Sequence, residues 1–195
     1  MIPKASKYKT QHNAKNSNGE ELKYKEFRKK AHHDTLSVSF FMKRAKNFLI
    51  LLDIRSAHNV GSIFRTADAA GVEKIYLVGV TPAPIDRFGR PRKDIAKTAL
   101  GAERVVKWEV VPDIHPLFEK LRAEGVRIVA VEQDARARDY KGLSPSGDVA
   151  FIFGNEVDGV SKEVLDTCDD IIEIPMHGKK ESLNVSVSVG VILFR

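Results

Sequence analysis

From residue 48 onward, short apolar runs alternate with segments whose apolar residues recur at helical spacing. Short apolar runs between turn residues are typical of buried strands, and the amphipathic segments between them predict helices. Strands that alternate with helices form βαβ units, so the pattern predicts an α/β fold with an open, mostly parallel sheet and helices on both faces. We expect strands at residues 48–52, 75–80, 126–131, 149–153 and 171–174, and a weaker one at 105–108.

Two of the intervening segments carry a helical stripe. We expect the first helix to begin at Asn59, a good N-cap residue, and to end at Gly71. A second helix contains Leu117 and Leu121 and ends at Gly125. The stripe of the first helix consists of Val60, Ile63, Phe64, Ala67 and Ala70.

The loops after the strands are the places to look for function. Open parallel sheets bind ligands at the carboxyl ends of their strands, which here means after residues 52, 80, 131, 153 and 174. The loop at residues 81–92 is long and contains three prolines and three arginines. Loops of this length and charge are more often functional than decorative.

The basic charge of the chain is concentrated at its start. Residues 1–47 hold 12 Lys and Arg against 4 Asp and Glu, whereas the remaining residues hold 20 against 22. We therefore expect residues 1–46 to form a basic amino-terminal arm, with a short helix at 20–33, and residues 47–195 to form the folded domain. Such an arm either contacts a polyanion such as nucleic acid or serves as a solvated tail, and charge alone leaves both open.

Several classes of protein and site are disfavoured by the sequence. The one cysteine, Cys168, has no partner for an internal disulfide and has acidic neighbours that disfavour a thiolate. The apolar runs are too short to span a bilayer and no leader segment is recognisable, so we expect a soluble, cytoplasmic protein with no membrane segment. The histidines lack metal-site spacing, so no metal is expected. The glycines at 154 and 159 lack the lysine of a phosphate-binding loop.

The end of the chain gives conflicting signals. Residues 184–191 alternate strictly between apolar and small polar residues, which is typical of a half-buried strand. A buried helix rich in small residues is the alternative, and periodicity alone does not decide between them.

Three segments carry specific motifs. Residues 59–67 read N-V-G-x-I-x-R-T-A, residues 154–161 read G-N-E-x-x-G-V-S, and residues 174–187 read I-P-M-x-G-x-x-x-S-L-N-V-S-V. Taken singly, these segments have ordinary explanations: a surface arginine, a tight turn before a helix, and a basic loop. Taken together and in this order, they resemble the SpoU-type (TrmH-like) RNA ribose 2′-O-methyltransferases of the SPOUT superfamily, over residues 47–195.

The resemblance has implications for the fold. In that family the last third of an open α/β sheet is threaded into a deep trefoil knot, an exception to the rule that proteins are unknotted. The third motif opens a helix that packs in the knot, so the resemblance favours a helix over residues 184–195. Because this segment is apolar all round, we expect that helix to be buried.

The resemblance also implies the activity and the site. It implies transfer of a methyl group from S-adenosylmethionine, held in the knot, to a ribose hydroxyl, without a metal. An arginine acts as general base in some proposals for the family. Because guanidinium keeps its proton, we favour a role for Arg65 in fixing a phosphate and stabilising the developing alkoxide. The implied catalytic residues are Arg65, Asn59, Glu156, Ser182 and Asn184, and the implied cofactor-binding residues are Gly154, Ile174, Met176 and Leu183.

The implied partners are an RNA substrate and a second copy of the chain, with Arg65 able to act across the dimer. We expect structured RNA, with tRNA slightly favoured over rRNA. A non-catalytic RNA-binding protein on the same fold, or an RNA base methyltransferase of the superfamily, are the alternatives. Two departures from the family are the end of the sequence at Arg195, inside the last helix, and an amino-terminal arm unlike a known RNA-binding domain. We expect residues 1–47 and the loop at 87–93 to contact RNA phosphates.

Overall fold

The computed structural model describes residues 45–143 and 147–195. The predicted arm at 1–46, with its predicted helix at 20–33, lies almost entirely outside the described residues. The strands are β1 (Asn47–Leu52), β2 (Lys74–Val78), β3 (Trp108–Val111), β4 (Arg127–Val131), β5 (Arg138–Asp139), β6 (Val149–Phe153) and β7 (Asp170–Glu173). The helices are α1 (Ala57–Ala70), α2 (Lys93–Ala99), α3 (Ile114–Ala123), α4 (Lys162–Leu165) and α5 (Val185–Leu193), with short 3₁₀ turns at Ala102–Arg104 and Tyr140–Gly142.

The seven strands form one sheet in the order β3-β2-β1-β6-β4-β7-β5, and every neighbouring pair is parallel. The predicted α/β class and parallel sheet are therefore confirmed. Strand β6 lies between β1 and β4, and all five of its residues are buried. The carboxyl ends of β1, β4, β6 and β7 consequently meet at one edge of the sheet.

Helices cover both faces of the sheet, as predicted. Leu49 and Leu51 of β1 point into one core, which also holds the buried sides of α1, α2 and α5. Phe48 and Ile50 point into the other core, with the buried side of α3 and residues of α4. This alternation is the two-residue period of a strand buried on both faces.

The five stronger strand predictions are confirmed to within two residues, but the weaker one is wrong. The prediction of a strand at residues 105–108 fails because Val105 closes a 3₁₀ turn and is 71% exposed, and β3 begins at Trp108. The prediction at 75–80 runs too long, because Gly79 turns the chain with a φ of 65° and Val80 is exposed. Two adjacent valines are not sufficient to predict a strand, because a turn at the same place prevents the backbone from pairing with a neighbouring strand.

Helix α1 ends as predicted but begins earlier. Gly71 adopts a left-handed φ of 69°, and its N–H caps the carbonyls of Ala67 and Asp68. The N-cap is Ser56, whose hydroxyl accepts a hydrogen bond from the backbone N–H of Asn59, so the prediction of Asn59 as the cap is wrong. Asn59 lies inside the first turn, where its side chain is free of capping and available to other partners.

The end of the chain is helical. Asn184 caps α5, because its Oδ1 accepts a hydrogen bond from the N–H of Ser186. The strand interpretation of residues 184–191 is therefore wrong and the helix implied by the resemblance is right. The expectation of full burial is wrong as well: Val185, Val189 and Ile192 are buried at helical spacing, whereas Val187 is 50% and Phe194 is 64% exposed.

Two negative findings concern the described residues only. No helix at 45–143 or 147–195 is long and apolar enough to cross a membrane. In the same two ranges, no group of three or more His, Cys, Asp or Glu side chains is arranged to hold a metal ion.

Candidate functional site

A cleft of about 440 Å³ opens at the carboxyl ends of β4, β6 and β7, where the loops after these strands meet the start of α5. Its walls are partly apolar, with Val131 and Phe153 at the ends of two strands. Eight of the nine residues implied by the resemblance lie in the cleft wall or bond directly to it. In the wall are Gly154, Glu156, Ile174, Met176, Ser182, Leu183 and Asn184, and Asn59 bonds to Glu156 and Asn184.

A chain of hydrogen bonds, here called the amide relay, joins one residue from each of the three motifs. The Nδ2 of Asn184 donates to Oδ1 of Asn59 at 3.1 Å, and Nδ2 of Asn59 donates to Oε1 of Glu156 at 2.8 Å. The other carboxylate oxygen of Glu156 accepts from the backbone N–H of Arg55 at 3.3 Å. The relay therefore fastens the starts of α1 and α5 to the loop after β6.

The two ends of the relay fix the orientation of both amides. At one end, Oδ1 of Asn184 accepts hydrogen bonds from the N–H and the hydroxyl of Ser186, so its Nδ2 must face Asn59. At the other end the ionised Glu156 only accepts, so Asn59 must present its NH₂ to that carboxylate and its oxygen to Asn184. Neither amide has a second arrangement that satisfies the same partners.

Glu156 is held as a carboxylate. Partial burial acts to raise its pKa, but the hydrogen bonds that it accepts from Asn59 and from backbone N–H groups including that of Arg55 outweigh burial and hold the pKa below its ordinary value. The position next to the amino terminus of α1 has the same effect, because that end of a helix favours negative charge. A carboxylate of low pKa is a weak proton acceptor, so Glu156 is suited to orienting its neighbours rather than to acting as a base.

The glycines of the second motif are required by the backbone itself. A Cβ on Gly154 would overlap the backbone of Gly159 and Val160, because the loop doubles back and forms a bridge between Asn155 and Gly159. Gly159 has a φ of 64° and faces the carboxylate of Glu132. The tight turn therefore requires a glycine at position 154, which is also one of the cofactor-binding residues implied by the resemblance.

Three residues of the site were missed from the sequence. Glu132 accepts a hydrogen bond from the N–H of Val160 at 2.9 Å, and Gln133 donates to the carbonyl of Glu181 at 2.5 Å. Both line the cleft and tie its walls together. Both residues directly follow residue 131, one of the strand ends after which the sequence predicts ligand binding, and this position could have identified them. The third is Arg55, whose N–H holds Glu156 and whose guanidinium lies 3.5 Å from Asp158.

Arg65 stands apart from the other predicted residues. It is exposed on the face of α1 opposite the buried Ile63 and Ala67, as its place in the helical stripe predicts. It follows Asn59 by six residues, which is about 9 Å along a helix axis, and it does not line the cleft. The structure thus brings together every predicted site residue of this chain except Arg65.

Two curated relatives are identical to this chain at about a third of the aligned positions. The 23S rRNA (guanosine-2'-O-)-methyltransferase RlmB of Vibrio vulnificus is 35% identical over 153 residues, which are 78% of this chain and 59% of that protein. The tRNA (guanosine(18)-2'-O)-methyltransferase of Thermus thermophilus is 36% identical over 153 residues, 78% of this chain and 75% of that one. The chain spans less than two thirds of the RlmB relative.

The fold and the family agree with these relatives. The AdoMet-bound rRNA methyltransferase of Sinorhizobium meliloti superposes with a TM-score of 0.67 at 28% identity, covering 76% of this chain and 54% of that one. The model of the SpoU rRNA Methylase family matches residues 46–194, which include β1 to α5 and all three motifs. With its sheet, its cleft and its motif residues in these places, the chain belongs to the SpoU rRNA methylase family.

Proposed function

We propose that this chain transfers a methyl group from S-adenosylmethionine to a ribose 2′-hydroxyl of structured RNA. The observation that carries the proposal is the amide relay, because it connects Asn59, Glu156 and Asn184 of three separate motifs at the mouth of one cleft. The names of the relatives support it, since both act on ribose hydroxyls of RNA.

The cleft fits the cofactor in size and chemistry. Its volume of about 440 Å³ lies within the usual range for small-molecule sites. Gly154, Ile174, Met176 and Leu183 would hold the cofactor between apolar side chains and main-chain groups, which suit the flat adenine. When bound, S-adenosylmethionine supplies a methyl group on a positively charged sulfur. The AdoMet bound to the similar rRNA methyltransferase of Sinorhizobium meliloti is consistent with this assignment.

The residues of this chain then have separate tasks. Arg65 fixes the phosphate next to the target ribose and stabilises the oxyanion that develops on its hydroxyl. Ser182 and Asn184 position the ribose or the cofactor carboxylate, and Glu156 holds Asn59 in place. This division assigns no proton to Arg65, because a guanidinium does not act as a base at neutral pH. The ribose oxygen would form its bond to the methyl carbon as the carbon–sulfur bond of the donor breaks, and the hydroxyl proton would pass to water.

The reactive assembly that we propose is a homodimer. Arg65 does not line the cleft of its own chain, so we propose that it acts at the cleft of a second protomer. Val187 and Phe194 leave α5 with exposed apolar side chains that a partner would cover. We also propose that the last third of the chain is threaded as a trefoil knot, since β6 inserts between β1 and β4 and the chain then returns to pack α5 on α1.

The substrate that we propose to test first is tRNA. We also propose that the protein acts in the cytoplasm. The Thermus thermophilus tRNA enzyme is matched over 75% of its length, against 59% for the Vibrio vulnificus rRNA enzyme. The basic residues 1–47 supply phosphate contacts. Deletion of residues 1–33 is expected to weaken RNA binding and to flatten its dependence on salt, whereas an unchanged salt slope contradicts a role for the arm.

Nucleoside mass spectrometry tests the activity. The protein is incubated with S-adenosylmethionine carrying a labelled methyl group and with unmodified tRNA or rRNA, and the digested nucleosides are separated. Label on a ribose supports the proposal, label on a base indicates a base methyltransferase, and no label together with no calorimetric signal for the cofactor indicates an RNA-binding protein.

Arg65→Ala tests the assignment of the arginine. We expect the variant to lose transfer while cofactor binding stays nearly unchanged. Arg104→Ala, which removes an exposed guanidinium on a 3₁₀ turn, is the matched control and is expected to retain activity. Equal loss of transfer and of cofactor binding in Arg65→Ala contradicts the assignment, because it shows a structural role.

A further inference from the structure

The loop between β2 and α2 has a built shape at its tip, which we call the Phe88 tip (residues 85–91). Asp86 accepts hydrogen bonds at Oδ1 from the N–H groups of Phe88 and Arg90, at 2.8 and 2.9 Å, and at Oδ2 from Nε of Arg90 at 3.0 Å. Ile85 and Pro91 form an antiparallel bridge below it. An aspartate that gathers several donors in this way organises a turn independently of the rest of the protein.

The tip presents an aromatic ring to solvent. Phe88 is 65% exposed, and it belongs to neither core of the sheet. The guanidinium carbons of Arg87 and Arg90 lie 4.8 and 4.9 Å from the ring centroid. The ring does not contribute to either core, and the ordered turn holds it where a planar partner can contact it.

The tip is connected to the edge of the sheet that bears the cleft. At the base of its loop, Thr81 accepts a hydrogen bond from the N–H of Ile54 at 3.0 Å and donates to the carbonyl of Leu51 at 2.8 Å. The following residue of the β1 loop, Arg55, bonds to Glu156 of the relay. Strand β2 is separated from β6 by β1 alone, so the strand ends that carry the loop and the cleft lie about 10 Å apart.

We propose that Phe88 is a stacking platform for an unpaired base of the RNA substrate, with Arg87 and Arg90 contacting the phosphates that flank that base. The proposal rests on the proposed function and specifies it: the substrate offers an unstacked nucleotide near the methylated ribose. Single-stranded nucleotides are bound by this combination of exposed aromatic rings and nearby cations. Guanidinium–ring contacts are weak at exposed sites, so a base can replace one of them and leave that arginine to its phosphate.

The first test measures binding to two RNA probes without cofactor. One probe is a hairpin with 2-aminopurine in its loop, and the other is a fully paired duplex of the same stem. Phe88→Ala is expected to weaken hairpin binding at least tenfold and to abolish the quenching of 2-aminopurine, with duplex binding changed less than twofold. Phe88→Tyr keeps a ring and is expected to restore both signals, and Val105→Ala is the control for removing a different exposed apolar side chain.

The arginines have a separate readout. Arg87→Ala is expected to reduce the salt slope of hairpin binding by about one, because it removes one contact with a phosphate that flanks the unpaired base. Thermal unfolding of every variant within about 2 °C of the parent excludes a folding defect.

Three outcomes overturn the proposal. Equal losses on hairpin and duplex show that Phe88 acts on the backbone or on the fold, and unchanged binding to both shows that it does not meet RNA. A smaller assembly in sedimentation with unchanged RNA binding shows that the ring contacts a second protein chain. Binding is measured without cofactor, so it does not depend on methyl transfer. Failure of the parent protein to transfer a methyl group would contradict the proposed function, but the binding results for Phe88 would still test this proposal.

Discussion

Replacing Glu156 by glutamine tests the amide relay through the dependence of stability on pH. Glutamine has nearly the same shape, but it has one acceptor oxygen where the carboxylate has two. With Oε1 turned to Asn59, its NH₂ group faces the N–H of Arg55, so one hydrogen bond to a charged acceptor is lost. Nothing else in the site needs to move.

The magnitude follows from the type of bond and its exposure. A hydrogen bond to a charged group contributes about 1.5–3 kcal/mol when it is shielded from water. Glu156 is exposed, so we expect about 1 kcal/mol, which lowers the unfolding temperature by about 2–4 °C for a chain of this size.

The direction with pH follows from the lowered pKa of Glu156. Folding depresses this pKa, so the carboxylate stabilises the protein fully above its unfolded pKa of about 4.3, and the contribution is lost as the pH falls through the folded value. The difference between parent and Glu156→Gln is therefore expected to be full at pH 7 and to shrink on acidification below about pH 4.

The unfolding temperatures of the parent and of Glu156→Gln are measured by circular dichroism at pH 7 and at several values down to pH 3. Only the difference between the two temperatures is interpreted, because all other carboxylates titrate in both proteins. Glu119→Gln, on an exposed position of α3, is the matched control and is expected to show a smaller difference at every pH. A parent–variant difference that grows on acidification would refute the reasoning, because it requires the pKa of Glu156 to be raised by folding.

Three further predictions concern the described fold. Gly61→Ala is expected to destabilise the protein by about 2–3 kcal/mol in urea denaturation, because a Cβ there overlaps α2, whereas Gly71→Ala, with open space but a φ of 69°, costs about 1 kcal/mol; equal costs contradict the packing argument. Ser56→Ala removes the N-cap of α1 and is expected to lower the free energy of unfolding by about 1 kcal/mol. An unchanged free energy of unfolding would show that Ser56 is not the cap. Burial, with a smaller contribution from Asp169, raises the pKa of Cys168 to about 12, so its alkylation at pH 8.5 is expected to be about a thousandfold slower in the folded than in the unfolded protein.

The sequence predicts the sheet where periodicity is continuous and fails where it is short. Residues 149–153 are predicted to the residue, because a run of five apolar side chains is buried on both faces. The two-residue strand β5, Arg138–Asp139, carries no apolar pattern and was not predicted. The prediction for β3 is misplaced along the sequence. This strand lies at the edge of the sheet, where Val110 is exposed, so its residues do not form a continuous buried apolar run.

Residue identities in the site were accessible from the sequence, but their connections were not. The relay joins positions that lie 97 and 125 residues apart, and no local pattern encodes such a pairing. The cap of α1 shows a related limit: serine and asparagine are both good caps, and in the structure Ser56 caps the helix while Asn59 bonds to Glu156 and Asn184. Tertiary contacts decide between local options that the sequence leaves equal.

The central position of β6 governs the order in which this protein can be completed during synthesis. Its neighbours β1 and β4 leave the ribosome first and must wait with unpaired edges, β1 for about 100 residues of further translation, which takes about 5–20 s. During that interval β1, and later β4, presents an unpaired row of backbone N–H and C=O groups with which neighbouring nascent chains can pair. Strand β6 pairs with both β1 and β4, so a destabilising substitution in its five residues is expected to cause aggregation rather than a folded protein of lower stability.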